Sequence, residues 1–328
     1  MKAYLLHAYG PPENLTLGEA PTPAPAAGEV LIRVRATSAN PYDWHFMRGE
    51  PLVARFMPGG MAVRRPAHAI LGCDLAGEVE AVGPGVTRLR PGDTVYALVK
   101  HGAYAEYACV AEELVARKPE RLSFEEAATV PMAAVTALQA VRDDAAVRPG
   151  ARILITGASG GVGSFAVQIA TALGAEVTGV CSGRNAELVR SLGAERTIDY
   201  TTEDFTRTAR GYDALVDIAG SPKARATRRT LRKEGVHVVV GGTAGRWFRP
   251  VDHLLGVGVA GAVSRRPTAS TDVAIGASSR ANLEALSTLI DAGAVTPVVH
   301  RRFAFEELPE AMRLVEQGHV PGKVAVSV

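Results

Sequence analysis

Gly157, Gly160 and Gly163 stand at G-x-x-G-x-x-G spacing within TGASGGVG, Thr156 to Gly163. Glycines so spaced let a backbone turn sharply and approach a ligand closely, and a helix starting beside them aims unpaired N–H groups and its positive dipole end at that ligand. The chemistry this supports is pyrophosphate binding. Past these glycines by about 20 residues, an acidic side chain would take the ribose 2′-hydroxyl of NAD, whereas a basic one accommodates the 2′-phosphate of NADP. Ser182, Gly183 and Arg184 occupy that place, with no carboxylate before Glu187. Arginine pairs with a phosphate and serine donates to it, so the residues favour NADPH.

Such a site needs a strand, a turn, a helix and a second strand. Ile153-Leu154-Ile155 is the unbroken apolar run of a parallel strand buried on both faces. Phe165, Val167, Ile169, Ala170 and Leu173 recur with helical period before Gly174, and Glu176 to Cys181 reads as the returning strand. Ser123 suits an N-cap with Glu126 as its capping-box partner, and strand and helix alternate from there onward. Thr197-Ile198-Asp199, Tyr212 to Ile218 and Gly235 to Val240 continue the series. The pattern predicts an α/β doubly wound parallel sheet, whose ligands lie at the carboxyl ends of its strands, near Ala219, Gly220 and Gly241-Gly242-Thr243.

The residues before about 122 read differently. Met1 to Leu6, Glu29 to Thr37, Asp74 to Val82 and Thr94 to Val99 are short strands divided by Gly and Pro, which predicts a compact β-rich unit. Glu50 to Ala69 reads as a long surface loop able to cover a cleft. After a helix from Ala281, the strand Val298 to Phe303, the helix Leu308 to Gln317 and the strand Lys323 to Val328 return to complete the first domain. The expected organisation is 1–122 with 271–328 as one domain and 123–270 as the dinucleotide-binding domain.

A chain of 328 residues can build two cores, and its 47% hydrophobic and 21% charged residues argue against disorder. The formal net charge of +2 gives no ground for nucleic acid or an anionic membrane as a partner. The run Ile153 to Ala175 has membrane-spanning length but changes period midway, as strand, turn and helix would. No signal-peptide pattern opens the sequence, which predicts a cytoplasmic protein. Cys73, Cys109 and Cys181 are too few and too scattered for a disulfide framework or a cysteine-rich zinc site. Lys223 to Lys233, with Arg225, Arg228, Arg229 and Arg232, reads as one solvated helix face, and Val257 to Val263 as an edge strand able to pair across a dimer or a buried strand.

The chain resembles the medium-chain dehydrogenases/reductases of the zinc-independent, quinone-oxidoreductase-like branch. The resemblance runs along nearly the whole length: Ser38 to Trp44, LGCDLAGEVEAVG at Leu71 to Gly83, RPGDTVYA at Arg90 to Ala97, TGASGGVG, and GHVPGKVAV at Gly318 to Val326. It implies a GroES-like catalytic domain, completed by the C-terminus, beside a Rossmann domain. It also implies NADPH-dependent reduction of quinones or α,β-unsaturated carbonyls, usually by a homodimer. Zinc-dependent relatives carry Cys where this sequence has Asn40 and a His-Glu pair where it has Cys73-Asp74, so the resemblance implies no catalytic zinc.

The same resemblance suggests the site residues. Tyr42 and His45 take the positions of a proton relay and are the first and second candidate donors, each with a bland rival as a packing or surface residue. Asp43 reads as a residue that holds the loop. Asn40 and Thr136 fall near the nicotinamide, and Gly157, Ser159, Gly160, Gly161, Val162 and Gly163 around the pyrophosphate. Ser182, Arg184 and Tyr200 surround the adenosine 2′-phosphate, Ala219, Gly241 and Thr243 line the nicotinamide side, and Lys323 approaches from the C-terminal segment. Trp44, Phe46 and the loop Glu50 to Ala69 are candidates for an apolar substrate pocket. The alternatives are a carbonyl or alcohol oxidoreductase and a zeta-crystallin-like NADPH-binding protein with little turnover.

Overall fold

A computed structural model of the chain describes residues 1–56, 61–220, 224–241, 268–271 and 278–328. Thr243, Gly242, Lys223 and the stretch Val257 to Val263, all named above, lie outside the described residues. The chain divides into two compact units. One comprises Met1–Val135, Ala274–Gly293 and Val299–Val328, the other Thr136–Val273 and Ala294–Val298.

In the first unit β1 (Lys2–Leu6) and β2 (Leu15–Glu19) form an antiparallel ribbon. The larger sheet is built on β3 (Glu29–Ala39), β4 (Asp74–Val82), β5 (Thr94–Leu98), β6 (Tyr107–Ala111) and β7 (Val115–Arg117). Alternation along β3 sends Val30, Ile32 and Val34 into a core shared with Val79, Val95, Val110 and Val115. Far along the chain, β14 (Val299–Ala304) and β15 (Lys323–Ser327) join this sheet, in the order β14-β15-β3-β4-β5-β7 with β6 also on β3. Two strands from the end of the chain are therefore part of the first unit's sheet.

The antiparallel register fixes where the site lies. Val324 of β15 faces Ala39 of β3, and Thr37 of β3 faces Leu75 of β4. The end of β3 and the starts of β4 and β15 thus meet at one place, bringing Asn40, Asp74 and Lys323 together. Val324, Ala325 and Val326 are at most 1% exposed, and a fully buried valine contributes about 1.5–3 kcal/mol. After β3 the chain enters α1 (Pro41–Arg48), with Pro41 in its first turn and Gly49 in the left-handed conformation after its end. The described part of the Glu50 to Ala69 loop includes a 3-10 turn at Leu52–Phe56.

The second unit holds β8 (Arg152–Thr156), β9 (Glu176–Cys181), β10 (Arg196–Asp199), β11 (Tyr212–Asp217), β12 (Leu231–Val239) and β13 (Thr268–Ser270). They form a six-stranded parallel sheet in the order β10-β9-β8-β11-β12-β13, the doubly wound order with its switch point at β8 and β11. The basic run near residue 230 differs from its expected form. The helix Ala224–Thr227 is short, a 3-10 turn follows at Arg228–Thr230, and Arg232 and Lys233 already lie on β12. Arg228 is 4% exposed and donates to Thr268, while Arg232 pairs with Asp213. The run is not one solvated helix face.

Candidate functional site

The second unit offers a seat for a dinucleotide. β8 ends at Thr156, Gly157 turns the chain at φ +65°, and α4 (Gly161–Ala172) begins four residues later. A Cβ on Gly163 would lie 2.0 Å from Gly157 O, so the turn and helix can be this close only with glycine there. The N-cap is Gly160, which brings no side chain to cap the first-turn N–H groups, the kind of helix start that can receive an anion. Thr156 Oγ1 donates to Asp217 Oδ1 at 2.7 Å and accepts from Ile218 N and Ala219 N at 3.0 and 3.2 Å. A Cβ on Gly241 would stand 2.9 Å from Ile218 O. Ser159, the glycines, Val162, Ala219 and Gly241 are thereby gathered at the carboxyl ends of β8, β11 and β12.

The adenosine end forms one strand further out. Asp199 pairs with Cys181 in the β10–β9 register, so Ser182 and Arg184 after β9 lie at the same sheet end as Tyr200 after β10. Arg184 is exposed and Tyr200 is 51% exposed. A carboxylate that the local sequence did not reveal stands beside them: Asp199, delivered by the neighbouring strand. Its Oδ1 accepts from Thr201 N and Thr201 Oγ1 at 2.9 and 2.7 Å. The Thr201 and Gly183 N–H groups and the Thr201 hydroxyl hold its pKa below the usual value.

Where the three strand ends of the first unit meet, a buried polar cluster forms. Asn40 is 2% exposed, and its Nδ2 lies 3.0 Å from Asp74 Oδ2, 3.1 Å from Ser38 Oγ, 3.2 Å from Asp43 Oδ2 and 3.3 Å from Cys73 Sγ. Asn40 Oδ1 accepts from Lys323 Nζ, which also stands 3.6 Å from Asp74 Oδ2. Asp74 Oδ2 further accepts from Ser38 Oγ at 2.6 Å, and Asp74 Oδ1 from Met132 N at 2.7 Å, in the first turn of α3 (Pro131–Leu138), which follows the short α2 (Phe124–Ala128). Asp43 Oδ2 accepts from the backbone N–H of Asn40 at 3.1 Å, securing the start of α1. Burial and the Asp74 charge push the Asp43 carboxyl up to about 7, against the opposing pull of Tyr104, Asn40 and Lys323.

Above this cluster α1 presents its aromatic side chains. The Tyr42 ring packs on Phe46 at 4.7 Å and His101 at 5.9 Å, and its hydroxyl has no hydrogen-bond partner among the described residues. Burial, then the nearby Cys73 and Asp43, raise the Tyr42 pKa, so the phenol keeps its proton. His45 has other neighbours: it stacks on Trp44 at 3.9 Å, and its Nδ1 donates to Glu50 O at 2.8 Å. Burial lowers the His45 pKa, so this ring is neutral. His101 was not found from the sequence, where no motif marks it. It stacks on His68 at 4.0 Å, and burial, His68 and Lys100 push its pKa down to about 4.

Of the sequence-derived candidates, Asn40 and Lys323 are thus bonded to each other, and Tyr42 lies on the helix that follows Asn40. Thr136 is buried on α3. Ser38, Asp74 and Tyr104 were missed, since each reaches the cluster from a different part of the chain. Among the described residues no helix is long and apolar enough to cross a membrane.

Comparison with known proteins gives a consistent result. Family models described as "Alcohol dehydrogenase GroES-like domain" and "Zinc-binding dehydrogenase" match residues 26–120 and 192–326. A chloroplast envelope quinone oxidoreductase homolog of Arabidopsis thaliana is 32% identical over 321 residues, 94% of this chain and 92% of the relative. A mitochondrial NAD(P)H oxidoreductase of Mus musculus is 35% identical over 92% of this chain and 82% of the relative. The quinone oxidoreductase from Coxiella burnetii superposes with a TM-score of 0.86 at 31% identity, covering 100% of this chain and 99% of that one. The CurK enoyl reductase gives 0.86 at 27% identity over 99% and 98%. The zinc in the second family model's description does not fit the residues present. Asn40 supplies an amide, Asp74 is engaged by Ser38, Asn40, Met132 and Lys323, and among the described residues no group of three or more His, Cys, Asp or Glu could hold a metal.

Proposed function

The chain belongs to the medium-chain dehydrogenases/reductases, in their zinc-independent, quinone-oxidoreductase-like branch, and on that premise we propose that it reduces a quinone or an α,β-unsaturated carbonyl with NADPH. The observation that carries the reaction class is the Tyr42 hydroxyl, protonated and unpartnered in a half-buried aromatic cluster. A bound nicotinamide supplies the hydride. Tyr42 donates a hydrogen bond to the acceptor's carbonyl oxygen, where negative charge develops as hydride reaches the β-carbon. A proton from Tyr42 or water then completes the reduced product. Phe46 and His101 offer apolar and planar surface to such an acceptor.

The coenzyme reading rests on the second unit. The glycine turn and the start of α4 take the pyrophosphate, Ser182, Arg184 and Tyr200 the 2′-phosphate, and Ala219 and Gly241 the nicotinamide, while the assignments of Asn40, Thr136 and Thr243 to that ring rest on the family resemblance alone. Asp199 does not favour NAD in this reading, because it stands on the neighbouring strand rather than at the end of β9 and its Oδ1 already accepts twice from Thr201. The protein is taken to be a cytoplasmic homodimer, which light scattering and fractionation would check.

The deciding assay follows NADPH and NADH oxidation by purified protein against a simple quinone, an alkyl enone, an enal and a saturated aldehyde. Turnover of the first three with NADPH is the expected result. Turnover of the saturated aldehyde alone would move the protein to carbonyl reduction. No turnover with any of the four, despite tight NADPH binding, would leave the zeta-crystallin-like alternative.

A further inference from the structure

Proton donation by Tyr42 gives no task to the buried charge beside its helix. Lys323 is 5% exposed; its ammonium donates to Asn40 Oδ1 and lies 3.6 Å from Asp74 Oδ2, a carboxylate that is itself wholly buried. A buried ion pair adds little net stability but is strongly disrupted by loss of one partner, so its use lies in fixing an arrangement. Here the arrangement is that of Asn40. An amide can turn over and exchange its oxygen with its NH2. With the ammonium on one side and Asp74 on the other, only one orientation satisfies it, oxygen toward Lys323 and Nδ2 toward Asp74 Oδ2 at 3.0 Å.

Asn40 is also where α1 begins. Its N–H donates to Asp43 Oδ2 at 3.1 Å, and its carbonyl accepts from Asp43 N and Trp44 N at 3.1 and 3.3 Å. Tyr42 lies between these partners in the first turn. We infer that Lys323 is a positioning residue for Tyr42: paired with Asp74, its ammonium fixes Asn40 and through Asn40 the first turn of α1. This rests on the reading of Tyr42 as the hydrogen-bond donor to the acceptor. The ammonium's two partners, Asn40 and Asp74, are both side chains of the first unit, and a direct contact with the coenzyme would be a separate role that NADPH affinity distinguishes.

The test compares wild type, Lys323→Met and Lys323→Met/Asp74→Asn, with 3-fluorotyrosine incorporated and the Tyr42 signal assigned through Tyr42→Phe. In the double variant the charge is balanced again, and the Asn40 amide can turn over to offer its oxygen to the new amide. In Lys323→Met the Tyr42 fluorine resonance should shift or split, and kcat should fall roughly 10- to 100-fold at nearly constant KM for both substrates, as misplacement of about 1 Å can produce. The double variant should recover the resonance and most of kcat. An unchanged Tyr42 resonance in Lys323→Met overturns the inference, as does a raised NADPH Kd that the second substitution fails to restore, which would mark a coenzyme contact. If Lys323→Met does not fold, Lys323→Gln takes its place, removing the charge while keeping a donor. Wild type that turns over no acceptor sinks the functional reading alone, and the fluorine resonance still decides the role of Lys323.

Discussion

Asn185 Nδ2 donates to Ser159 Oγ at 3.0 Å, tying the turn that follows β9 to the glycine turn that follows β8. The two turns are those proposed for the 2′-phosphate and for the pyrophosphate, and this bond adds a side-chain link between them to the pairing of β8 with β9. Arg184, one residue before Asn185, is exposed and has no partner among the described residues. Its guanidinium can meet a phosphate without giving up another interaction.

Arg184→Ala should therefore act on one coenzyme only. A hydrogen bond to a charged group contributes about 1.5–3 kcal/mol, so the NADPH Kd should rise roughly 10- to 100-fold while that for NADH stays within about threefold. Fluorescence titration of the reduced coenzymes measures both. Equal losses would remove Arg184 from the 2′-phosphate.

Tyr42→Phe keeps the ring that packs on Phe46 and His101 and removes only the unpartnered hydroxyl. Loss of a proton donor costs about 10²- to 10⁴-fold where it is essential and less where water substitutes, so kcat should fall at least roughly tenfold with NADPH affinity unchanged. Stopped-flow kinetics at saturating NADPH would show it. Unchanged turnover would leave Tyr42 as packing.

Gly163→Ala probes the close approach of turn and helix. The added carbon would lie 2.0 Å from Gly157 O and 2.8 Å from Ala158 Cα, both backbone atoms that cannot swing aside. Overpacking of this kind costs about 1–3 kcal/mol, which for a domain of this size lowers Tm by roughly 2–10 °C. Calorimetry should show the drop, and NADPH titration a weakened Kd. Unaltered Tm and Kd would mean that the seat tolerates a side chain and is not shaped as described.

Much of the fold was legible because glycine and proline punctuate it. Asp74 to Val82 and Glu176 to Cys181 are strands with the bounds that the sequence suggests. The capping box at Ser123 and Glu126 forms as its spacing implies. The basic run near residue 230 misled because arginines three and four apart imitate a helix face, whereas pairing of Leu231 with Tyr212 draws the same residues into β12. α1 was not legible, since Pro41 to Arg48 mixes aromatic, acidic and basic residues without a clear stripe. The buried polar cluster was least legible of all. Ser38, Asp74 and Lys323 are brought together by strand register, with Asn40, Asp43 and Tyr104 added from the start of α1 and a loop, and no local pattern announces register between residues almost 300 apart.

Asp43 makes the sharpest prediction about pH. Its folded pKa of about 7 lies above the model-peptide range, so between about pH 4 and 7 the folded chain holds a proton that the unfolded chain has released. The penalty for burying this carboxyl's charge is therefore absent at low pH, and it grows by up to about 1.4 kcal/mol per pH unit across that window before levelling off above it. Asp43→Asn has no proton to lose and keeps an oxygen for the Asn40 N–H. Measured against wild type, its denaturation midpoint should rise steadily from pH 4 to 7 and stay constant from 7.5 to 9. A difference that is flat across the lower window would mean that Asp43 is already ionised there, with Lys323 balancing both carboxylates rather than Asp74 alone.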